Sequence, residues 1–109
     1  MPDLNAMSTV ERQILCIEDD PAVRDTRCCV LRESGYNARA ATSLQAEFLL
    51  RSQTFDLVIL SATLSDSERA RLTKAAGPKV RFLELSGFTD PGTLLSVVAE
   101  ILRSLDRSH

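Results

Sequence analysis

Four short stretches of the chain are rich in apolar residues and are separated by segments with a helical pattern. Apolar runs of this length are typical of strands that are buried on both faces of a parallel sheet. Strands are predicted at residues 14–17, 36–41, 56–61 and 80–85. The third is the clearest, because residues 57–60 are all apolar, whereas the fourth carries Arg81 and Glu84.

Each predicted strand is followed by a signal that starts a helix. Asp20-Pro21 and Asp90-Pro91 combine an N-cap residue with proline at the first helical position. Capping boxes begin at Thr42 and Ser65. The alternation predicts right-handed βαβ crossovers, a parallel sheet and helices on both of its faces.

Apolar residues at helical spacing predict which sides of these helices face inwards. The stripes are Val23, Arg27, Val30 and Leu31 in the first helix, Leu44, Phe48 and Leu49 in the second, and Leu94, Val97, Val98, Ile101, Leu102 and Leu105 in the last.

Composition narrows the class of protein. The 109 residues carry a net charge of −2, and their length suits one domain. A polar leader is expected at 1–12 and the domain at 13–107. The lack of a concentrated basic face argues against nucleic-acid binding, and no apolar stretch approaches the roughly 18 residues of a membrane span. Three cysteines without framework spacing indicate reduced thiols and a cytoplasmic location.

The segment 14–21, ILCIEDDP, resembles the opening of a receiver domain of a response regulator in two-component signalling. Gly35-Tyr36, residues 41–49 and residues 56–60 fit the same family, so the resemblance covers about residues 13–105. It implies a flavodoxin-like, three-layer α/β/α fold. The chain runs from residues 85–87 within a few residues into Asp90-Pro91, which predicts a parallel sheet truncated to about four strands, without the family's fifth strand.

The resemblance also implies a phosphorylation site, but the match is partial. In the family, an aspartate that ends the third strand accepts a phosphoryl group, and an acidic pair helps it to hold Mg²⁺. Glu18 and Asp19 match the acidic pair, and Ser86 matches the hydroxyl that follows the phosphoryl group. Ser61 stands where the acceptor aspartate belongs. Both lysines of the chain precede the fourth strand, so the family's site lysine is absent.

These departures predict a degenerate receiver that is not an enzyme and has no catalytic residue. It would act in a phosphorelay pathway through protein–protein contact that does not depend on phosphorylation. Its partner would be a histidine kinase, another response regulator or a second copy of the chain. No cofactor would be required, and Glu18 and Asp19 would form at most a weak Mg²⁺ site. The alternative is a phosphate-accepting receiver with an unrecognised acceptor.

The missing fifth strand predicts where a partner binds. It leaves the edge of the fourth strand and one side of the last helix uncovered, and exposed strand edges invite pairing. Soluble monomers also seldom leave large apolar patches uncovered. The interface is therefore predicted to include Val80, Phe82, Leu102 and Leu105, with a homodimer as one form of it.

Overall fold

The computed structural model describes residues 12–85 and 89–107, and side chains as far as residue 105. Strands and helices alternate in the order β1 (Gln13–Ile17), α1 (Pro21–Glu33), β2 (Asn37–Ala41), α2 (Ser43–Ser52), β3 (Leu57–Ser61), α3 (Asp66–Ala76), β4 (Arg81–Leu85) and α4 (Pro91–Arg107). The strands form one parallel sheet with the order β2-β1-β3-β4. The prediction of a four-stranded α/β fold is confirmed.

The helices begin at the residues whose side chains cap them. Asp20 accepts hydrogen bonds from two backbone N–H groups of the first turn of α1. Thr42 and Ser65 each form both bonds of a capping box. Asp90 accepts bonds from the backbone N–H of Thr93 at 3.1 Å and from its hydroxyl at 2.7 Å. These caps fix where each helix leaves the sheet.

Two apolar clusters lie on opposite faces of the sheet. Along β1, Ile14 and Cys16 pack towards α1 and α4, whereas Leu15 and Ile17 pack towards α2 and α3. This alternation is the two-residue period of a strand. Because both faces are covered, β1 and β3 are almost wholly buried.

Helix α2 differs from the prediction. It buries Ala46 and Leu50, while Leu44 is 81% exposed and Phe48 is 71% exposed. A shift of two residues is about 200° around a helix, so Leu44 and Phe48 point away from the sheet. Leu49, the third predicted residue, is partly buried against the core, as predicted. The prediction followed the large apolar side chains, whereas the small side chain of Ala46 is fully buried beneath the helix.

Helix α4 packs on the same face of the sheet as α1. Leu94, Val98 and Leu102 form its buried stripe, and Leu105 is only partly buried. Leu102 was predicted to lie at an interface, but it is 5% exposed and belongs to the core. The reason is its spacing of four and eight residues from Val98 and Leu94, which places all three on one side of the helix.

The polar N-terminal leader predicted at residues 1–12 lies outside the described residues, apart from Arg12. Within the described ranges, none of the helices is long and apolar enough to cross a membrane.

Candidate functional site

The candidate site lies where β1 and β3 end, at the carboxyl edge of the sheet. Ile17 pairs with Leu60, so the residues that follow them, Glu18 and Ser61, are neighbours on adjacent strands. In open parallel α/β sheets, ligands bind at this edge. The register therefore places Glu18 beside Ser61, whereas Ser86 lies outside the described residues.

Glu18 forms a buried ion pair with an arginine of α1. Its Oε1 atom lies 3.5 Å from Nη1 of Arg27, and both residues are almost wholly buried. The other carboxylate oxygen accepts a hydrogen bond from the backbone N–H of Asp20 at 3.0 Å. Both oxygens of Glu18 therefore have partners within the chain.

Asp19 is bound to the start of α2. Its Oδ1 atom accepts a hydrogen bond from the backbone N–H of Ser43 at 2.9 Å, and its Oδ2 atom lies 3.3 Å from the Ser43 hydroxyl. A carboxylate in this position also stabilises the helix, because the N-terminus carries partial positive charge. Asp19 thus connects the end of β1 to α2.

The Ser43 hydroxyl also lies 3.0 Å from a carboxylate oxygen of Glu68 in α3. A hydroxyl has one proton, so it can donate to only one of its two carboxylate neighbours at a time. The pKa of Glu68 is lowered by the bond from the Ser65 backbone N–H, and further by the hydroxyls of Ser43 and Ser65. These contacts join the carboxyl edge of β1 to both helices on that face.

Ser61 is 2% exposed at the end of β3. Its hydroxyl lies 2.7 Å from the hydroxyl of Thr63 and 3.2 Å from the Thr63 backbone N–H, from which it accepts a hydrogen bond. The Ser61 hydroxyl is thus hydrogen-bonded within its own loop, and its side-chain partner is another neutral group.

No family model and no curated protein matches this sequence. Solved structures do resemble it. A CheY-like response regulator receiver domain protein from Methanospirillum hungatei JF-1 superposes with a TM-score of 0.69 at 17% identity, over 92% of this chain and 100% of that one. A CheY-like receiver domain from Methylobacillus flagellatus gives 0.61 at 20% identity, over 84% and 99%. The chain has the fold of a response-regulator receiver domain. At these identities the likeness shows the fold alone.

The receiver fold implies Mg²⁺ at this edge, but the side chains present do not fit the ion. Magnesium needs near-octahedral oxygen ligands and usually takes one or two free carboxylates. Here Glu18 is paired with a cation, Asp19 is bonded to α2, and Ser61 offers a neutral hydroxyl. Over residues 12–85 and 89–105, no cluster of three or more acidic, histidine or cysteine side chains is placed to share a metal ion.

Sequence reasoning did not predict the ion-pair and hydrogen-bond partners of the candidate site residues. These partners are Arg27 for Glu18, Ser43 for Asp19 and Thr63 for Ser61. A signal existed only for Arg27. A charged residue on the apolar side of an amphipathic helix indicates a buried partner, because an unpaired charge is costly to bury.

The predicted interface residues at β4 are half-buried: Val80 directly precedes the strand and Phe82 lies within it. Val80 and Phe82 pack towards α2 and α3, where Glu84 forms an ion pair with Arg69 of α3. Leu105 is packed against the apolar cluster on the opposite face of the sheet. β4 is the last strand in the order of the sheet, so no further strand of the described residues covers its outer edge.

Proposed function

We propose that this chain is a degenerate receiver domain of two-component signalling that acts through protein–protein contact and does not need phosphorylation. The receiver fold supports the signalling role. The buried Ser61 hydroxyl, hydrogen-bonded to Thr63 at the acceptor position, is the observation that carries the proposal.

A serine at this position is a poor phosphoacceptor for a physical reason. Activation of a serine hydroxyl requires an adjacent general base. The side-chain partner of Ser61 is the Thr63 hydroxyl, and the only histidine of the chain is His109 at its terminus. We therefore propose a binding module and not an enzyme.

The competing function is a receiver that accepts phosphate on an unrecognised residue. Incubation with acetyl phosphate and Mg²⁺, followed by intact-mass measurement, separates the two functions. We expect no gain in mass, while a receiver that retains its aspartate, treated in parallel, gains one phosphoryl group. A phosphoryl group on this chain would refute phosphorylation independence. Removal of the group by hydroxylamine would place it on a carboxylate, whereas a hydroxylamine-stable group that is lost in Ser61→Ala would place it on Ser61.

For the partner, we propose a histidine kinase, another response regulator or a second copy that contacts the outer side of β4. The uncovered strand edge and the half-buried Val80, Phe82 and Leu105 support this surface. Leu102 contributes only indirectly, because it lies in the core.

A pair of matched variants tests the second-copy form of this contact. Val80→Glu changes the β4 surface, and Phe48→Glu changes an apolar side chain on α2 that is already exposed. We expect light scattering to show self-association of the wild type that Val80→Glu weakens and Phe48→Glu leaves intact. The reverse result would move the contact to α2, and a wild type that stays monomeric at high concentration would exclude the homodimer.

A further inference from the structure

Both charges of the Glu18–Arg27 ion pair are taken out of water. The Glu18 side chain is 6% exposed and the Arg27 side chain 5% exposed. Removal of either partner from such a pair leaves an uncompensated buried charge, which is strongly destabilising. Arg27 is therefore required wherever Glu18 is ionised.

The backbone groups of Glu18 are also hydrogen-bonded within the chain. Its N–H donates to the carbonyl of Ala41 at 3.1 Å, and its carbonyl accepts from Nη1 of Arg24 at 2.9 Å. With Asp20 and Arg27 on the carboxylate, each polar group of Glu18 has a partner from the chain. Within the described residues, the positive charge nearest to the carboxylate is therefore supplied by the chain itself.

We propose that Arg27 is a built-in cation that takes the place of the receiver's Mg²⁺. It neutralises Glu18, one of the two positions that match the metal-binding pair, from within the core. A guanidinium remains charged at all working pH values and is held by the chain, so this charge cannot dissociate. The inference goes beyond the proposed function, because it concerns what replaces the metal and stands or falls independently of phosphorylation.

If Arg27 replaces the metal, the stability of the protein should depend on a divalent cation only when Arg27 is substituted. In the wild type, Glu18 is already neutralised by Arg27, so Mg²⁺ should leave stability unchanged. If Arg27 is replaced by a neutral side chain of similar length, the Glu18 carboxylate loses its ion-pair partner, and Arg24 remains bonded to the backbone carbonyl. A divalent cation bound by Glu18 and Asp19 can then supply it.

Arg27→Met is the test variant, Arg27→Lys keeps the charge, and Glu18→Gln combined with Arg27→Met removes both charges. Urea unfolding is measured for each protein in EDTA and in excess Mg²⁺. We expect a Mg²⁺-dependent rise in the unfolding midpoint for Arg27→Met alone. By water-proton relaxation, that variant should bind Mn²⁺ at least about tenfold more tightly than the wild type, a difference of about 1.4 kcal/mol.

Three results would overturn the proposal. The first is saturable stabilisation of the wild type by Mg²⁺ that Asp19→Asn abolishes, and the second is an Arg27→Met protein as insensitive to Mg²⁺ as the wild type. If Arg27→Met is unfolded in EDTA, recovery on addition of Mg²⁺ supports the proposal. The third result that would overturn the proposal is an Arg27→Met protein that stays unfolded after addition of Mg²⁺, whether or not the double variant folds. The acetyl phosphate experiment is unaffected by any of these outcomes.

Discussion

An aspartate at residue 61, the position matched to the receiver's acceptor, should destabilise this protein. Ser61→Asp would place a carboxylate at a buried strand end, beside Glu18 on the neighbouring strand. Adjacent strands lie about 4.8 Å apart. Two like charges at about 5 Å repel by about 3 kcal/mol at an effective dielectric constant of about 20. The Arg27 guanidinium offsets part of this repulsion, while loss of water around the new carboxylate adds to the cost.

The charge effect is isolated by comparison with Ser61→Asn, which has nearly the same shape without the charge. In urea denaturation at neutral pH with EDTA, we expect Ser61→Asp to be less stable than Ser61→Asn by about 2–3 kcal/mol. Equal stability of the two variants would refute the reasoning, since it would mean that Glu18 and residue 61 do not interact. Phosphate-dependent switching should also stay absent in Ser61→Asp, because the family's lysine is still missing.

Other groups give independent tests. The pKa of Glu68 is lowered, chiefly by a backbone N–H at the helix cap. The ionised Glu68 therefore stabilises the folded protein at pH values above its unfolded-state pKa, about 4.3. This stabilisation is lost as the pH falls through the folded-state pKa. Glu68→Gln should therefore make the free energy of unfolding fall less steeply on the acid side of a stability–pH profile. Burial raises the pKa of the Cys16 thiol to about 12, so iodoacetamide should label exposed Cys29 in the native protein and Cys16 only after unfolding. Leu102→Ala should lower the free energy of unfolding by about 2–5 kcal/mol, and the half-buried Leu105→Ala by less.

The strands and the helix starts could be predicted because their signals are local. A run such as Leu57 to Leu60 and caps such as Asp20 and Thr42 determine their own conformation over a few residues. The side of α2 that faces inwards could not be predicted in this way. It depends on which side chain fits against the sheet, and Ala46 fits where Leu44 was expected.

The candidate site, too, could be predicted from the sequence only in part. The resemblance assigns Ser61 to the acceptor position by alignment of a strand end, and this assignment stays a prediction. The identity of the partners was not predictable: the pattern of α1 indicates only that Arg27 has a buried partner. Arg27 and Glu18 are nine positions apart along the chain, and Ser43 and Asp19 are twenty-four apart. Such contacts depend on how α1 and α2 are placed against β1, which no local pattern reports.

The bonds around the site bear on how a receiver of this kind could still transmit a signal. Glu18, Asp19 and Ser61 each have a partner within the chain. Under the proposed function, these three groups do not respond to phosphate. A change of conformation can be driven only by a ligand that binds one state better than another. In the proposed function, that ligand is a protein that contacts the outer side of β4, which no further strand of the described residues covers. A partner there could reach the edge through β4, because the N–H of Ala62, which follows Ser61, donates to the carbonyl of Leu85 at 2.9 Å.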